Sequence, residues 1–331
     1  MKQLDFVAIG DIVTDAFIRL KEAEVQPSID HTKQELCMEF AAKIPYESVT
    51  IIPAVGNSAN AAIAAARLGL SSALVANQGD DTYAKENLVV LKNEHVLRDF
   101  IKNHPGANSN YHYVLWYGAE RTILVKHENY SYHLPDIGSP KWLYLTSLGA
   151  NTLTFHLEIE EYLKKHPEVK LAFQPGTFQI AAGIEKMRYF YSRAEVLVMN
   201  VEEAEKVTGL PGDAKIRELT TALHKLGSKI ILITDGPKGA YLSTGRNAWF
   251  MPAYPDPKPP YERTGAGDAF ASTFVSALAL GKTPEEALRW APINSMSVVQ
   301  HVGAREGLLS LSVLKKYLQK APPDYEPTPL G

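Results

Sequence analysis

The run Glu262-Arg263-Thr264-Gly265-Ala266-Gly267-Asp268-Ala269-Phe270 holds the residues best suited to chemistry. Ala266, Phe270, Phe274 and Ala277 recur at helical spacing, so a helix is predicted to begin here. Gly265, Ala266 and Gly267 have little or no side chain, which lets another molecule approach their backbone closely. The first N–H groups of a helix lack internal partners and carry the positive end of its dipole. Phosphate is the usual guest at such an end. Asp268 stands beside it, placed to take a proton from a hydroxyl. An anion cradle with an adjacent base is what transfer of phosphate to an alcohol requires. The competing reading is a plain helix start, with Asp268 there for dipole reasons alone.

The elements that must position this run alternate along the chain. Phe6–Ile9, Trp142–Leu145, Leu171–Phe173, Val196–Met199 and Ile230–Ile233 are short apolar runs that read as fully buried strands. Helical stretches fall between them. Ala59–Leu68 is Ala-rich and stops at Gly69. Thr283-Pro284-Glu285-Glu286 reads as a helix start with a threonine cap, a first-position proline and a capping glutamate. The expected fold is α/β, a doubly wound and mostly parallel sheet with helices on both faces and ligands near the C-terminal strand ends.

Two segments break the rhythm. Tyr111–Trp116 and Arg121–Val125 read as a hairpin turning at 117–120. Residues 17–52 are also β-rich. The expectation is one domain over 1–320, with a small β lid from about 17–52 and 109–130. A peripheral hairpin without function is the alternative. The tail 321–331 is proline-rich and is expected to be loosely ordered.

Composition narrows the classes. The chain has 331 residues, 45% hydrophobic and 21% charged, with net charge −3, which suits a globular enzyme. No basic run is interleaved with aromatics, which argues against a nucleic-acid polymer as partner. A lone cysteine, Cys37, excludes an internal disulfide and fits a reducing, cytoplasmic setting. No apolar stretch is long enough to span a bilayer, and no signal-peptide layout opens the sequence. There is no G-x-x-x-x-G-K-[ST] loop, no G-x-G-x-x-G after the first strand, no H-E-x-x-H and no G-x-S-x-G.

An ordered set of motifs over about 300 residues resembles the ribokinase-like, PfkB-type carbohydrate kinases. Asp15, five residues after Gly10, resembles the family's substrate-binding aspartate. Val55-Gly56-Asn57-Ser58-Ala59-Asn60 resembles its Gly-Gly-x-x-x-Asn signature, and Gly79-Asp80-Asp81 a strand-end loop. Asn200-Val201-Glu202-Glu203 resembles the Asn-x-x-Glu motif near magnesium and phosphate. Thr234-Asp235-Gly236-Pro237-Lys238-Gly239 resembles the nucleotide loop, and His301-Val302-Gly303-Ala304 the strip closing the nucleotide pocket.

The resemblance implies an ATP-dependent phosphotransferase acting on a hydroxyl of a small free sugar. Asp268 would be the general base, with Gly265, Ala266 and Gly267 as the anion hole. Asp15, Gly56, Asn57 and Asn60 would hold the substrate. Thr234, Gly236, Gly239, Asn294 and Gly303 would hold the nucleotide. Asn200 and Glu203 would hold Mg²⁺, directly or through water. Each has a plainer alternative: Asn200 with Glu203 is also a helix capping box, and Gly236 with Gly239 an ordinary hairpin turn. A nucleoside kinase on the same fold remains open, with Phe17, Tyr113 and Trp116 as stacking residues; so, more remotely, does a non-catalytic sugar or nucleotide sensor. A phosphosugar would need a basic cluster, for which Arg19, Arg121 and Lys126 are available. The chain departs from the pattern at Val55, expected to reshape the sugar pocket. It departs again at Glu262, which leaves a monovalent cation an open question. A homodimer through the lid is compatible with the resemblance.

Overall fold

Alternation along the first strand, Phe6–Ile9, sets the architecture. Phe6 and Ala8 point into one apolar cluster, Val7 and Ile9 into another, and all four are fully buried. Such a strand needs cover on both faces. A computed structural model, which describes residues 3–29 and 33–330, shows helices on each side.

In chain order come β1 (Phe6–Ile9), β2 (Val13–Leu20), β3 (Glu24–Pro27), β4 (Gln34–Cys37), β5 (Tyr46–Val55), α1 (Asn57–Arg67), β6 (Ser72–Gln78), α2 (Thr82–Asn93) and β7 (Ile101–Asn103). There follow β8 (Tyr111–Tyr117), β9 (Glu120–Leu124), β10 (Trp142–Leu145), α3 (Leu153–Lys165), β11 (Lys170–Phe173), α4 (Thr177–Ala182), α5 (Ile184–Arg193), β12 (Val196–Asn200) and α6 (Val201–Thr208). The last part holds α7 (Ile216–Lys225), β13 (Ile230–Thr234), β14 (Ala240–Ser243), β15 (Ala248–Met251), α8 (Ala266–Ala279), α9 (Pro284–Val298), α10 (Leu311–Gln319) and β16 (Thr328–Pro329).

The main sheet runs β16-β15-β14-β13-β12-β11-β10-β1-β6-β7. From β7 to β13 every pairing is parallel, and β13 to β16 pair antiparallel. Helices α1, α8 and α9 pack on the Phe6 face, whereas α3, α5 and α7 pack on the Val7 face. All five expected strands are present, each within a residue of its expected bounds. The Thr283 cap forms as read, with Glu286 N 3.2 Å from Thr283 Oγ1 and Thr283 N 3.0 Å from Glu286 Oε2.

A second sheet, ordered β5-β2-β8-β9, is separate from the first and overlaps the ranges expected for a lid, whereas β3 and β4 of the same ranges pair as a two-stranded sheet of their own. Residues 30–32 of those ranges lie outside the described residues. Val13, Phe17, Ile52, Val55 and Val114 form its buried cluster. Two expectations change here. Phe17 is 1% exposed and packed in that cluster, so its ring is not free to stack on a ligand. Val55 fills the same cluster, which is where its methyl groups are accommodated. The tail also differs from expectation. Tyr325 is buried, its hydroxyl donates to Arg289 O at 2.8 Å, and Phe250 pairs with Thr328. An aromatic anchor and an edge pairing order what composition alone reads as loose; Gly331 lies outside the described residues. Among the described residues, no helix is long and apolar enough to cross a membrane.

Candidate active site

Helix α8 begins at Gly265, whose φ of 80° is left-handed. A Cβ at Gly265 would also overlap Ala304, so this position requires glycine twice over. Gly267 faces open space. The first-turn N–H groups at Gly267 and Asp268 have no helical acceptors, and that at Ala266 makes only a long bond of 3.5 Å to Arg263 O. Asp268 is half-buried at this end, and its side chain is held from two directions. Asn60 Nδ2 donates to Oδ2 at 2.9 Å, and Gln174 Nε2 to Oδ1 at 3.3 Å. Tyr144 donates its hydroxyl to Gln174 Oε1, which fixes the amide. Loss of hydration by burial pushes the Asp268 carboxyl up from the ordinary carboxylate range. Asn60, Gln174 and Arg121 oppose that rise, and the charge of Asp15 adds to it.

On one side of Asp268 lies a polar floor. Asp15 is buried on β2, opposite His112 on β8, with His112 Nδ1 3.5 Å from Asp15 Oδ1. Asn60 is buried in the first turn of α1, and half-buried Asn57 opens that helix. Gly56 caps it at φ 100°, and a Cβ there would sit 2.8 Å from Asp11 O. Asp11, His127 and Tyr132 extend the floor. Tyr132 donates to Asp11 Oδ1 at 3.1 Å, and His127 Nδ1 stands 3.1 Å from Asp11 Oδ2.

On the other side is a cavity of about 350 Å³. Thr234, Gly236 and Gly239 line it together with Ala266 and Gly267. The same loop is also a hairpin turn, since Thr234 pairs with Ala240 and Asp235 N bonds to Gly239 O at 2.8 Å. Two residues expected at the nucleotide do not line this cavity. Asn294 is fully buried, donating to Thr273 Oγ1 at 2.7 Å and accepting from Leu309 N at 2.8 Å. The period of α9 turns Pro292, Ser295, Met296 and Val299 to the cavity and Asn294 toward α8. Gly303 lies instead beneath the second sheet, where a Cβ would overlap Ile52.

Asn200 and Glu203 form the capping box of α6: Asn200 Oδ1 accepts from Glu203 N at 2.8 Å, and Asn200 N donates to Glu203 Oε2 at 2.9 Å. Burial raises the Glu203 carboxyl, and the nearby Asp268 charge raises it further. A cation between the two would relieve that repulsion. Among the described residues, no group of three or more His, Cys, Asp or Glu side chains is arranged to hold a metal. Asn200 and Glu203 could hold Mg²⁺ only together with phosphate oxygens and water. Asp81, in the third motif, is structural here: it accepts from Ala84 N at 2.9 Å and Ser109 N at 2.8 Å.

Glu262 is fully buried just before the anion hole. Its Oε1 accepts from Thr264 N at 2.6 Å and its Oε2 from Gly303 N at 3.3 Å. Arg121 on β9 reaches to 3.9 Å of Oε1, and Arg263 lies 3.4 Å from Glu120. The second sheet is thus tied to the segment that carries the base. Gln174, Tyr144, Asp11, His112 and His127 were not foreseen from sequence. Gln174 had a signal, since it directly follows a parallel strand and ligands gather at such ends.

The chain is similar to known proteins. A profile of pfkB family carbohydrate kinases matches residues 48–310. The ribokinase of Bacillus subtilis (strain 168) is 29% identical over 279 residues, covering 80% of this chain and 87% of that protein. The structure of Arabidopsis thaliana ribokinase complexed with ribose and ATP superposes with a TM-score of 0.76 at 20% identity, covering 96% of this chain and 99% of that one. The Methanocaldococcus jannaschii nucleoside kinase, an archaeal member of the ribokinase family, does so at 0.76 and 17% identity, with the same coverage.

Proposed function

This chain belongs to the pfkB family of carbohydrate kinases, and from that premise we propose that it moves the γ-phosphoryl group of ATP to a hydroxyl of a small free sugar. One observation carries the reading. Asp268 stands at the N-terminus of α8, between the cavity that Ala266 and Gly267 line and the polar floor reached through Asn60.

The mechanism follows from that placement. ATP lies in the cavity with its γ-phosphate toward the N–H groups of Ala266, Gly267 and Asp268. Those dipoles stabilise charge growing on the transferred group. Asp268 accepts the proton of the attacking hydroxyl, and its raised affinity for protons makes it a better base than an ordinary aspartate. Asn60 and Gln174 fix the direction of its lone pairs. Asp15, Asn57 and Asn60 hold the sugar's hydroxyls. Asn200 and Glu203 serve Mg²⁺, which neutralises phosphate charge when bound with the nucleotide. The second sheet acts as a lid that excludes water, the competing acceptor. Both oxygens of Glu262 are already engaged, so we expect no potassium requirement from it. A cytoplasmic setting fits the lone cysteine.

The site favours a neutral acceptor. Asp15 repels a second phosphate. The basic residues that could clamp one are paired with carboxylates: Arg19 with Glu47 at 3.1 Å, Arg121 with Glu262, and Lys126 with Glu128 at 2.6 Å. The test is ATP consumption across free sugars, sugar monophosphates and nucleosides. Turnover of a free sugar is expected. Turnover of a sugar monophosphate alone would overturn the reading and point back to Arg19, Arg121 or Lys126.

A further inference from the structure

More than half of the described residues' buried side-chain polar atoms that lack a hydrogen-bond partner lie in one place. They are Asp11 Oδ2, Asp15 Oδ1, Asn60 Oδ1, His112 Nε2, His127 Nδ1 and Thr146 Oγ1. Asp11 is 4% exposed and Asp15 8%. Asp11 Oδ2 faces His127 Nδ1 at 3.1 Å and Asp15 Oδ1 faces His112 Nδ1 at 3.5 Å, so these carboxylates have ionic partners and keep spare lone pairs. Asn60 Oδ1, His112 Nε2 and Thr146 Oγ1 have no partner, and leaving such groups unsatisfied costs about 1–3 kcal/mol each, which a ligand in this floor would relieve.

The cluster has an internal order. Asp15 with His112 makes one carboxylate–imidazole pair, and Asp11 with His127 makes a second. The two imidazoles touch edge to face, with centroids 5.4 Å apart at 72°. The Asp15 charge acts on Asp268, which places the first pair toward the base. Asp11 sits under the start of α1, where its carbonyl accepts from Ser58 Oγ at 2.8 Å, and Tyr132 pins its other oxygen.

We propose that Asp11 and His127 form a second hydroxyl-reading pair, beyond the Asp15–His112 pair, and that the acceptor is therefore a polyhydroxylated free sugar in preference to a nucleoside. The inference rests on the kinase reading above and deepens it. Asn60 Oδ1 and the spare lone pairs of the Asp11 and Asp15 carboxylates only accept, so the ligand must bring donors. A phosphate or carboxylate at neutral pH brings few or none. A hydroxyl brings one donor and accepts as well, matching a carboxylate set beside an imidazole. A nucleobase has donors but needs a flat slot between parallel faces. Here His127 meets both His112 and Phe178 edge-on, the latter at 83°, so these rings fill the space between one another. Each pair reads one hydroxyl, and the second lies farther from the reacting oxygen.

The experiment compares kcat/KM for D-ribose, D-fructose, the monodeoxy analogues of both, adenosine and cytidine, in wild type, His127→Ala and Asp11→Asn. Wild type should prefer one parent sugar over one of its monodeoxy analogues by about tenfold or more, the worth of a charged hydrogen bond. In the variants the parent should fall to about the level of that analogue, with the analogue and the KM for ATP little changed. A merely structural role would lower all acceptors alike. Melting temperatures show which variants fold, and the partly exposed His127 position decides if Asp11→Asn does not. Turnover of nucleosides but no free sugar would overturn the inference and leave the kinase reading standing. So would sugar turnover in which no analogue is discriminated, or in which His127→Ala keeps the discrimination. No turnover of any acceptor would overturn the kinase reading itself.

Discussion

Asn60 and Asp268, 208 positions apart in sequence, meet at 2.9 Å through Asn60 Nδ2 and Asp268 Oδ2. One residue lies in the first turn of α1 and the other in the first turn of α8. The two helix starts, packed side by side on one face of the sheet, bring the acceptor floor and the anion hole into register. The amide donates to a carboxylate whose burial disfavours its charge. It therefore orients the base and keeps it ionised.

That relationship predicts a pH effect. The base must be deprotonated, so kcat/KM rises with pH through its pKa, which lies above the ordinary aspartate value of 3.8. Asn60→Ala removes a donor that stabilises the charged form. The pKa then rises further, and the acid limb moves to higher pH by about one unit, since such a bond contributes about 1.5 kcal/mol. A limb that stays put or moves to lower pH would remove Asn60 from this role.

Asp268→Asn should fold and keep most of its affinity for ATP, because the first-turn N–H groups are backbone. It should lose about 10²–10⁴-fold in kcat, the span of general-base catalysis. Single-turnover kinetics with saturating ATP would check this, and a variant within about twofold of wild type would show that another group takes the proton.

Glu203→Gln separates the cap from the metal. Glutamine keeps an oxygen for Asn200 N and a backbone N–H for Asn200 Oδ1, so the capping box survives. A cap-only role predicts no change in magnesium dependence. We expect a half-saturating magnesium concentration raised about threefold or more, with the melting temperature nearly unchanged. An unshifted magnesium titration would leave Glu203 as a cap alone.

Sequence reading reached the parts of this molecule whose cause is local. β1 and β10 are short and uniformly apolar, and the Thr283 cap is written in four residues. β6 is implied in the sequence only by the loop at 79–81, because Ser72, Asn77 and Gln78 leave it an apolar run of just four residues, yet the strand is buried throughout. Their partners come from elsewhere: Ser72 Oγ bonds to Ala62 O at 2.8 Å and Gln78 Nε2 to Asn103 Oδ1 at 2.9 Å. The same holds at the site. Asp268 and the α8 start were visible as a contiguous string. His127 carries no pattern around it and Gln174 only its place after β11, and only the fold brings them to Asp11 and Asp268. Asn294 shows the converse: a polar residue in a helix near a motif invites a ligand role, whereas its rotation about the axis spends it on Thr273.

The outer part of the second sheet yields the last prediction. Val49 and Ile51 on β5, Tyr113 on β8 and Leu124 on β9 share one face of the sheet and are all more than a third exposed. Both β5 and β9 are sheet edges, with backbone groups open to further pairing. Apolar exposure of this extent on a small sheet marks an interaction surface, and a second copy of the chain offers the matching one. We expect a homodimer through this sheet. Ile51→Glu with Leu124→Glu should weaken it by about 10²-fold or more, since each buried aliphatic contributes about 1.5–3 kcal/mol and each new carboxylate must be desolvated. The substitutions lie outside the cavity and the polar floor, so affinity for ATP should hold. Sedimentation velocity over a concentration series checks both halves. A wild-type chain that stays monomeric at about 100 μM, or a dimer indifferent to the double substitution, would show that this sheet is not where two copies meet.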